Sequence, residues 1–170
     1  LALAITARHL SHPTTRAAVL KSLEYARRHG LRTALDIDYR PVLWGLTSLG
    51  DGETRFVESD QVTRELQEVL HHFDLIVGTE EEFHIAGGST DTLTALKNVR
   101  RTTAATLVCK RGAQGCSVFE GEIADDWAQV KLHAGVRVEV LNVLEVLRSE
   151  ERFSRNAETA LVCRLLLEKK

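Results

Sequence analysis

The sequence predicts an α/β domain built on parallel strands, and three observations carry that expectation. A short apolar run (Leu1 to Thr6), an amphipathic stretch (Thr14 to His29) and a second apolar run (RTALDI, Arg32 to Ile37) follow one another. Strand, helix, strand at this spacing is the βαβ unit, which crosses over right-handed and makes its strands parallel. Two further apolar runs of strand length, FDLIV (Phe73 to Val77) and AATLVC (Ala104 to Cys109), alternate with segments of helical period. Glycines stand where helices should stop, at Gly30 and at Gly87–Gly88.

Each element has a local reason. Ser11 is placed to cap the first helix, with Pro13 in its first turn. In that helix Val19, Leu20, Leu23 and Ala26 share one face, while Lys21, Glu24, Arg27 and Arg28 fall mainly outside it. Tyr39 to Asp60 is an irregular stretch with Pro41, Gly45, Gly50 and Gly52, long enough to suggest a function. Asp60 precedes a helix over Gln61 to His71 with Val62, Leu66, Val69 and Leu70 on its apolar side. Thr79 to Ala86 reads as a short helix whose acidic start suits the positive N-terminus. Another helix begins at Ser89 or Thr90 and runs to about Arg101. After the strand ending at Cys109 the rhythm changes to small β pieces. Cys116 to Phe119 and Glu122 to Trp127 are expected to form a hairpin through Glu120–Gly121, followed by a strand over Val136 to Val140. The stretch from Leu144 to Lys170 is charged, lacks glycine, and is expected to be an atypical tail, helical or disordered.

The bulk numbers narrow the classes. The chain has 170 residues, 44% hydrophobic and 27% charged, which suits one domain with a core. A net charge of -2 argues against a nucleic-acid binder. No run approaches the ~18 apolar residues of a membrane span. Three cysteines without a CxxC pair argue against a disulfide framework and a zinc site, so a cytoplasmic protein is expected. The apolar start LALAITARHL has no basic region before it and is not read as a signal peptide. With no starting Met, and no Met anywhere, the sequence is expected to begin inside a larger coding region.

Three places carry candidate chemistry. Asp36-Ile-Asp38-Tyr39-Arg40-Pro41 lies at the carboxyl end of a predicted parallel strand, where open α/β sheets gather ligands. The i, i+2 spacing puts Asp36 and Asp38 on one side of an extended chain, and Arg40 adds a fork of donors suited to phosphate. An acidic strand end with a surface ion pair explains the same residues. Gly78-Thr79-Glu80-Glu81-Glu82 follows the next strand, where carboxylates suit hydrated Mg²⁺ or simply a helix start. Lys110-Arg111-Gly112-Ala113-Gln114-Gly115 follows another strand, and its glycines let backbone approach a nucleotide or make a tight turn. Of the seven histidines, His9 and His12 are three apart, but no third ligand accompanies them and a structural role is expected.

In order and kind, TALDIDYRPVLWG, DLIVGTEEEF, LVCKRGAQGCSVF and VEVLNV resemble the ribokinase (PfkB) carbohydrate kinases, over roughly residues 1 to 143. The wording DIDYRPVLW is most similar to the branch that acts in myo-inositol breakdown. The resemblance implies a three-layer fold, a mostly parallel sheet flanked by helices on both faces, incomplete at both ends. It implies transfer of the ATP γ-phosphoryl group to a sugar hydroxyl with Mg²⁺. It places Asp36, Asp38 and Arg40 near the phosphates and sugar, Lys110, Gly112 and Gly115 beside the nucleotide, and Glu82 at the metal. Thr79 stands where the family has Asn in its Asn-x-x-Glu motif, and Asp38 where related members have Asn.

The same resemblance implies a Gly-Ala-Gly-Asp after VEVLNV, the source of an anion hole and of the general base. Here Leu144 is followed by Glu145-Val146-Leu147-Arg148, and Gly-Ala-Gly-Asp occurs nowhere in the sequence. The expectation is a kinase segment that lacks turnover alone, with the family's N-terminal half and most of its sugar site outside it. Uncovered sheet edges are expected to make it prone to aggregate. Two other readings stand beside this one. One is a non-catalytic nucleotide-binding module. The other is a phosphatase using Asp36 of the DxD as nucleophile, although Tyr39-Arg40-Pro41 follows in place of a hydroxyl residue. The lack of a G-x-G-x-x-G after the first strand argues against a dinucleotide-binding dehydrogenase.

Overall fold

The computed structural model describes residues 1–48 and 56–133. Its elements are β1 (Ala2–Thr6), α1 (Pro13–Arg28), β2 (Arg32–Asp36), α2 (Asp60–Leu70), β3 (Leu75–Thr79), α3 (Glu80–Gly87), α4 (Thr92–Thr102), β4 (Thr106–Lys110), β5 (Cys116–Phe119) and β6 (Leu132–His133). They form one mixed sheet in the order β1-β2-β3-β4-β5-β6. β1 to β4 are parallel, and β5 and β6 add antiparallel strands at one edge. The expected mostly parallel α/β sheet is therefore present.

Parallel strands laid down in chain order, each joined by a right-handed crossover, put their connecting helices on one side of the sheet. Side chains between helices agree. Arg16 of α1 pairs with Glu65 (3.0 Å) and Glu68 (2.7 Å) of α2. Thr63 and Gln67 of α2 donate to the Ile85 and Ala86 carbonyls of α3. Asn98 of α4 donates to the Gly87 carbonyl. At Gly87 a Cβ would overlap the Ala95 backbone, so only glycine lets α3 and α4 approach this closely. The described helices α1 to α4 form this layer, and the mostly parallel sheet with packed helices matches the expected fold class.

The core lies between that layer and the sheet. Leu35, Ile37, Ile76, Leu107 and Cys109 project from alternate strand positions and are fully buried with Leu66, Phe83 and Leu96 from the helices. Each large apolar side chain removed from water contributes about 1.5–3 kcal/mol. The opposite face of the sheet carries the other alternation, with Ala34, Leu75 and Thr106 in one row and Val77 and Val108 in the next.

Several local expectations are corrected. α1 is capped by His12 and not by Ser11; the His12 ring accepts from the Thr14 amide at 3.3 Å, while the Ser11 hydroxyl donates back to the Arg8 carbonyl. Leu20 is exposed because the buried stripe runs Val19, Leu23, Ala26 and leaves its neighbour outside. α2 is capped by Ser59, and α4 by Asp91, which lies after the predicted Ser89 or Thr90. β3 and β4 each start two residues later than expected, so Thr79 and Lys110 end the strands side by side. Glu122 to Trp127 does not form the predicted hairpin strand. β5 pairs instead with β4 through the turn at Arg111 to Gly115, and Trp127–Gln129 is a single helical turn. The strand expected over Val136 to Val140 and the tail from Leu144 lie outside the described residues.

Candidate functional site

Strand parity builds the site. Asp36 is the last residue of β2, in register with Val77, which pairs with Val108. One step further along, Thr79 of β3 is in register with Lys110 of β4. In a pleated sheet residues two apart share a face, so Asp36, Thr79 and Lys110 emerge together at the carboxyl ends. The Lys110 ammonium lies 3.7 Å from the Asp36 carboxylate across the intervening strand β3.

Beyond β2 the chain leaves the sheet through Asp38, the one described non-glycine residue with positive φ (29°). Aspartate tolerates that region better than most residues, yet it remains costly. Two cations hold it. Arg8, in the helical turn after β1, grips the Asp38 carboxylate with Nε (2.5 Å) and Nη2 (3.0 Å). Arg40 approaches the same carboxylate at 3.6 Å. Pro41 then fixes a turn over Pro41–Trp44 that Gly45 ends at φ 71°. Buried Tyr39 anchors the loop from below, its hydroxyl donating to the Val57 carbonyl at 2.7 Å, and burial pushes its phenol up to about 12.

Glu82 sits in the first turn of α3 in a capping box. Its carboxylate accepts from the Thr79 amide (2.7 Å), and the Thr79 hydroxyl accepts from the Glu82 amide (3.3 Å). Burial raises the Glu82 carboxyl above its ordinary value, opposed by Lys110 and the Thr79 amide, with Asp36 and Asp38 adding to the rise. Gly78 leaves room for this packing, since a Cβ there would stand 2.8 Å from Ile37 Cδ1.

The Lys110–Gly115 segment is a tight loop between β4 and β5. Gly112 (φ 55°) and Gly115 (φ 96°) both need the freedom of glycine. The Arg111 amide donates to the Gly115 carbonyl, closing the loop at 2.8 Å. The Arg111 guanidinium pairs with Glu80 at 3.2 Å and lies 3.9 Å over the Trp127 ring.

The structure thus brings Asp36, Asp38, Arg40, Glu82 and Lys110 to one edge, where Arg8 makes a third cation beside the three carboxylates. Gly112 and Gly115 lie in the adjoining loop and make no described contact with those side chains. The sequence pattern missed Arg8 as the partner of Asp38, and the Glu80–Arg111–Trp127 stack. Arg8 had one available signal, a position just past a strand end; Trp127 had none, because the contact depends on how β5 returns. His9 bonds the Thr6 hydroxyl (3.3 Å) and His12 caps a helix, so both have structural partners. Among the described residues no group of three or more His, Cys, Asp or Glu is arranged to hold a metal ion, and no helix is long and apolar enough to cross a membrane.

No protein-family model matches the sequence. The chain is 27% identical over 120 residues to 5-dehydro-2-deoxygluconokinase of Bacillus subtilis (strain 168), covering 67% of this chain and 33% of that protein. It spans about a third of the length of that curated relative. Its fold matches aminoimidazole riboside kinase from Salmonella enterica, solved with aminoimidazole riboside and an ATP analog, at a TM-score of 0.60, 16% identity, 82% of this chain and 41% of the other. It also matches a Vibrio cholerae O395 fructokinase double mutant bound to fructose, ADP and potassium, at a TM-score of 0.61, 15% identity, 81% and 38%. The resemblance read from the motifs and the fold of the described residues therefore agree: the chain has the fold of the ribokinase-like sugar kinases and is similar in sequence to 5-dehydro-2-deoxygluconokinases.

Proposed function

We propose that this chain is the nucleotide-side segment of an ATP-dependent sugar kinase, with 5-dehydro-2-deoxygluconate the sugar acid of the intact enzyme. The observation that carries the reading is the grouping of Asp36, Asp38, Arg40, Glu82 and Lys110 at adjacent carboxyl ends of parallel strands. Phosphoryl transfer asks a protein mainly for positioning and charge neutralisation. Arg40 and Lys110 are the cations for phosphate oxygens, each resting on an aspartate that fixes its place. Gly112 and Gly115 leave two positions of the loop without side chains, where backbone can lie against a nucleotide.

The carboxylates fit a hydrated Mg²⁺ better than a protein-caged ion. That ion keeps several waters and leans on one or two carboxylates plus substrate phosphates. Glu82, with one oxygen already on the Thr79 amide, would help hold the ion's hydration shell with its other oxygen. When bound, the ion supplies charge neutralisation on the phosphates.

The 170 residues contain no Gly-Ala-Gly-Asp. Loss of a general base and of an anion hole each removes roughly two to four orders of magnitude in rate. The polypeptide therefore binds nucleotide without turnover. A coupled ADP-release assay with 5-dehydro-2-deoxygluconate, run beside calorimetry with ATP and Mg²⁺, tests this. Binding with no turnover is expected. Turnover at ordinary kinase rates would overturn the inactive reading, and absence of any nucleotide binding would overturn the kinase reading.

A further inference from the structure

The opposite ends of the same strands hold a second feature that the kinase reading does not use. A groove of about 450 Å³ opens where α1 and α2 terminate and β2 and β3 begin, lined by Arg27, Arg32, His71, His72 and Asp74 over an apolar floor of Leu23, Leu31 and Phe73. That volume lies within the range of small-molecule sites.

Its charges are unevenly matched. Asp74 is the one carboxylate in the lining, and it is committed: one oxygen accepts from the Thr33 amide (2.8 Å) and hydroxyl (3.2 Å), the other from Arg32 (3.2 Å). Arg27 has no acidic partner among the described residues. Its guanidinium lies 3.3 Å from His72 Nδ1. A guanidinium only donates, so Nδ1 accepts, and the neutral ring carries its proton on Nε2. The His71 ring stacks against His72 with centroids 4.0 Å apart. Burial, His71 and Arg27 together hold His72 below its ordinary range. These basic groups are not needed to cap the helices. The last carbonyls of α1 are met by the His29, Gly30 and Leu31 amides, and those of α2 by the His72 and Phe73 amides. Arg32 has Asp74 as its counter-charge, but Arg27 has none of its own among the described residues, and a guanidinium left on a neutral imidazole beside a cavity is a charge that an anion relieves.

We propose that this groove binds a phosphorylated small molecule, separately from the cluster at the carboxyl ends. Arg27, Arg32 and the His72 Nε2–H supply donors for the phosphate, and the apolar floor takes the organic part.

The test follows His72 by proton NMR in the full chain, its ring signal assigned with His72→Gln. Inorganic phosphate, ribose 5-phosphate and ribose are titrated at matched ionic strength. Both phosphates are expected to raise the protonation midpoint of His72 saturably, ribose alone to leave it unmoved. Ribose 5-phosphate should half-saturate at a concentration about tenfold lower than inorganic phosphate, the gain from covering a small apolar area. Arg27→Gln should weaken the response by about tenfold, with Arg32→Gln as the second variant if the first fails to fold, and Lys110→Gln should leave it unchanged. A midpoint unmoved by phosphate, or moved equally in the wild type and both arginine variants, overturns the site. Equal half-saturation by the two phosphates overturns the assignment of the apolar floor to an organic ligand.

Discussion

At the carboxyl ends of the strands every cation meets a carboxylate: Lys110 faces Asp36, and Arg8 and Arg40 share Asp38. At the amino ends Arg27 leans on a neutral histidine and two imidazoles stack on each other, with a single committed carboxylate nearby. The first cluster is assembled by strand parity, which puts residues from distant parts of the chain on one face at one height. The second is assembled by helix termination, which gathers whatever side chains happen to precede the turns. The first cluster is anchored by Asp36 and Lys110, which stand on paired strands, while Asp38, Arg40 and Glu82 join it from the loop and helix that leave those strand ends. A termination-built cluster is adjustable, which suits a site whose charge is completed by a ligand.

Removing the common support is the harshest way to break this comparison. Phe83 is fully buried beneath the sheet. Phe83→Ala should cost about 3–5 kcal/mol in denaturant unfolding and disturb both ends together. An unfolding transition in which one end melts first would show that the ends do not share a core.

A narrower cut removes one cation. Lys110→Gln leaves Asp36 and Glu82 less compensated, and the half-buried setting puts the cost between that of exposed and buried pairs, about 2 kcal/mol at neutral pH. Measured unfolding should show this loss with His72 unaffected. A stability equal to wild type would mean that the balance of charges at the carboxyl ends is incidental.

The pH dependence separates the ends without large changes in structure. Burial raises the Glu82 carboxyl above its reference value of 4.5, so the folded state holds that proton more tightly than the unfolded chain. Its contribution to stability is fully present below 4.5 and is lost as pH rises through the higher folded value. His72 is shifted down, so the folded state binds its proton less tightly. Its contribution is fully present above the reference value of 6.5 and is lost as pH falls through the lower folded value. As pH rises from 4.5 through the folded Glu82 value, melting temperature should therefore fall less in Glu82→Gln than in wild type. A profile identical to wild type would show that Glu82 is not held as described.

The mildest change tests the loop that carries Asp38. Tyr39→Phe deletes the hydrogen bond to the Val57 carbonyl and should cost about 1 kcal/mol. No loss in thermal unfolding would mean that water replaces the hydroxyl.

Some of the site was legible before any fold. Asp36, Asp38 and Arg40 follow a run that reads as a strand, and Lys110 follows another, so their arrival at one edge is implied once both strands are parallel. Arg8 was not legible, because its grip on Asp38 depends on the turn after β1 lying beside the exit of β2. The hairpin was misplaced because short segments such as Glu122 to Trp127 resemble strands, while β5 in fact closes a hairpin with the preceding strand β4 across the turn at Arg111 to Gly115.

By itself the sequence determined the alternation of strands and helices, the apolar faces of α1 and α2, the glycines of the loop after β4 and the absence of Gly-Ala-Gly-Asp. Those depend on period and local conformation, which neighbouring residues set. Only the tertiary structure decided the strand order, the pairing of Arg8 with Asp38, the stack of Arg111 on Trp127 and the groove around Arg27 and His72. Each of these joins residues that no local period connects, so it exists only after strand pairing and helix packing have brought them together.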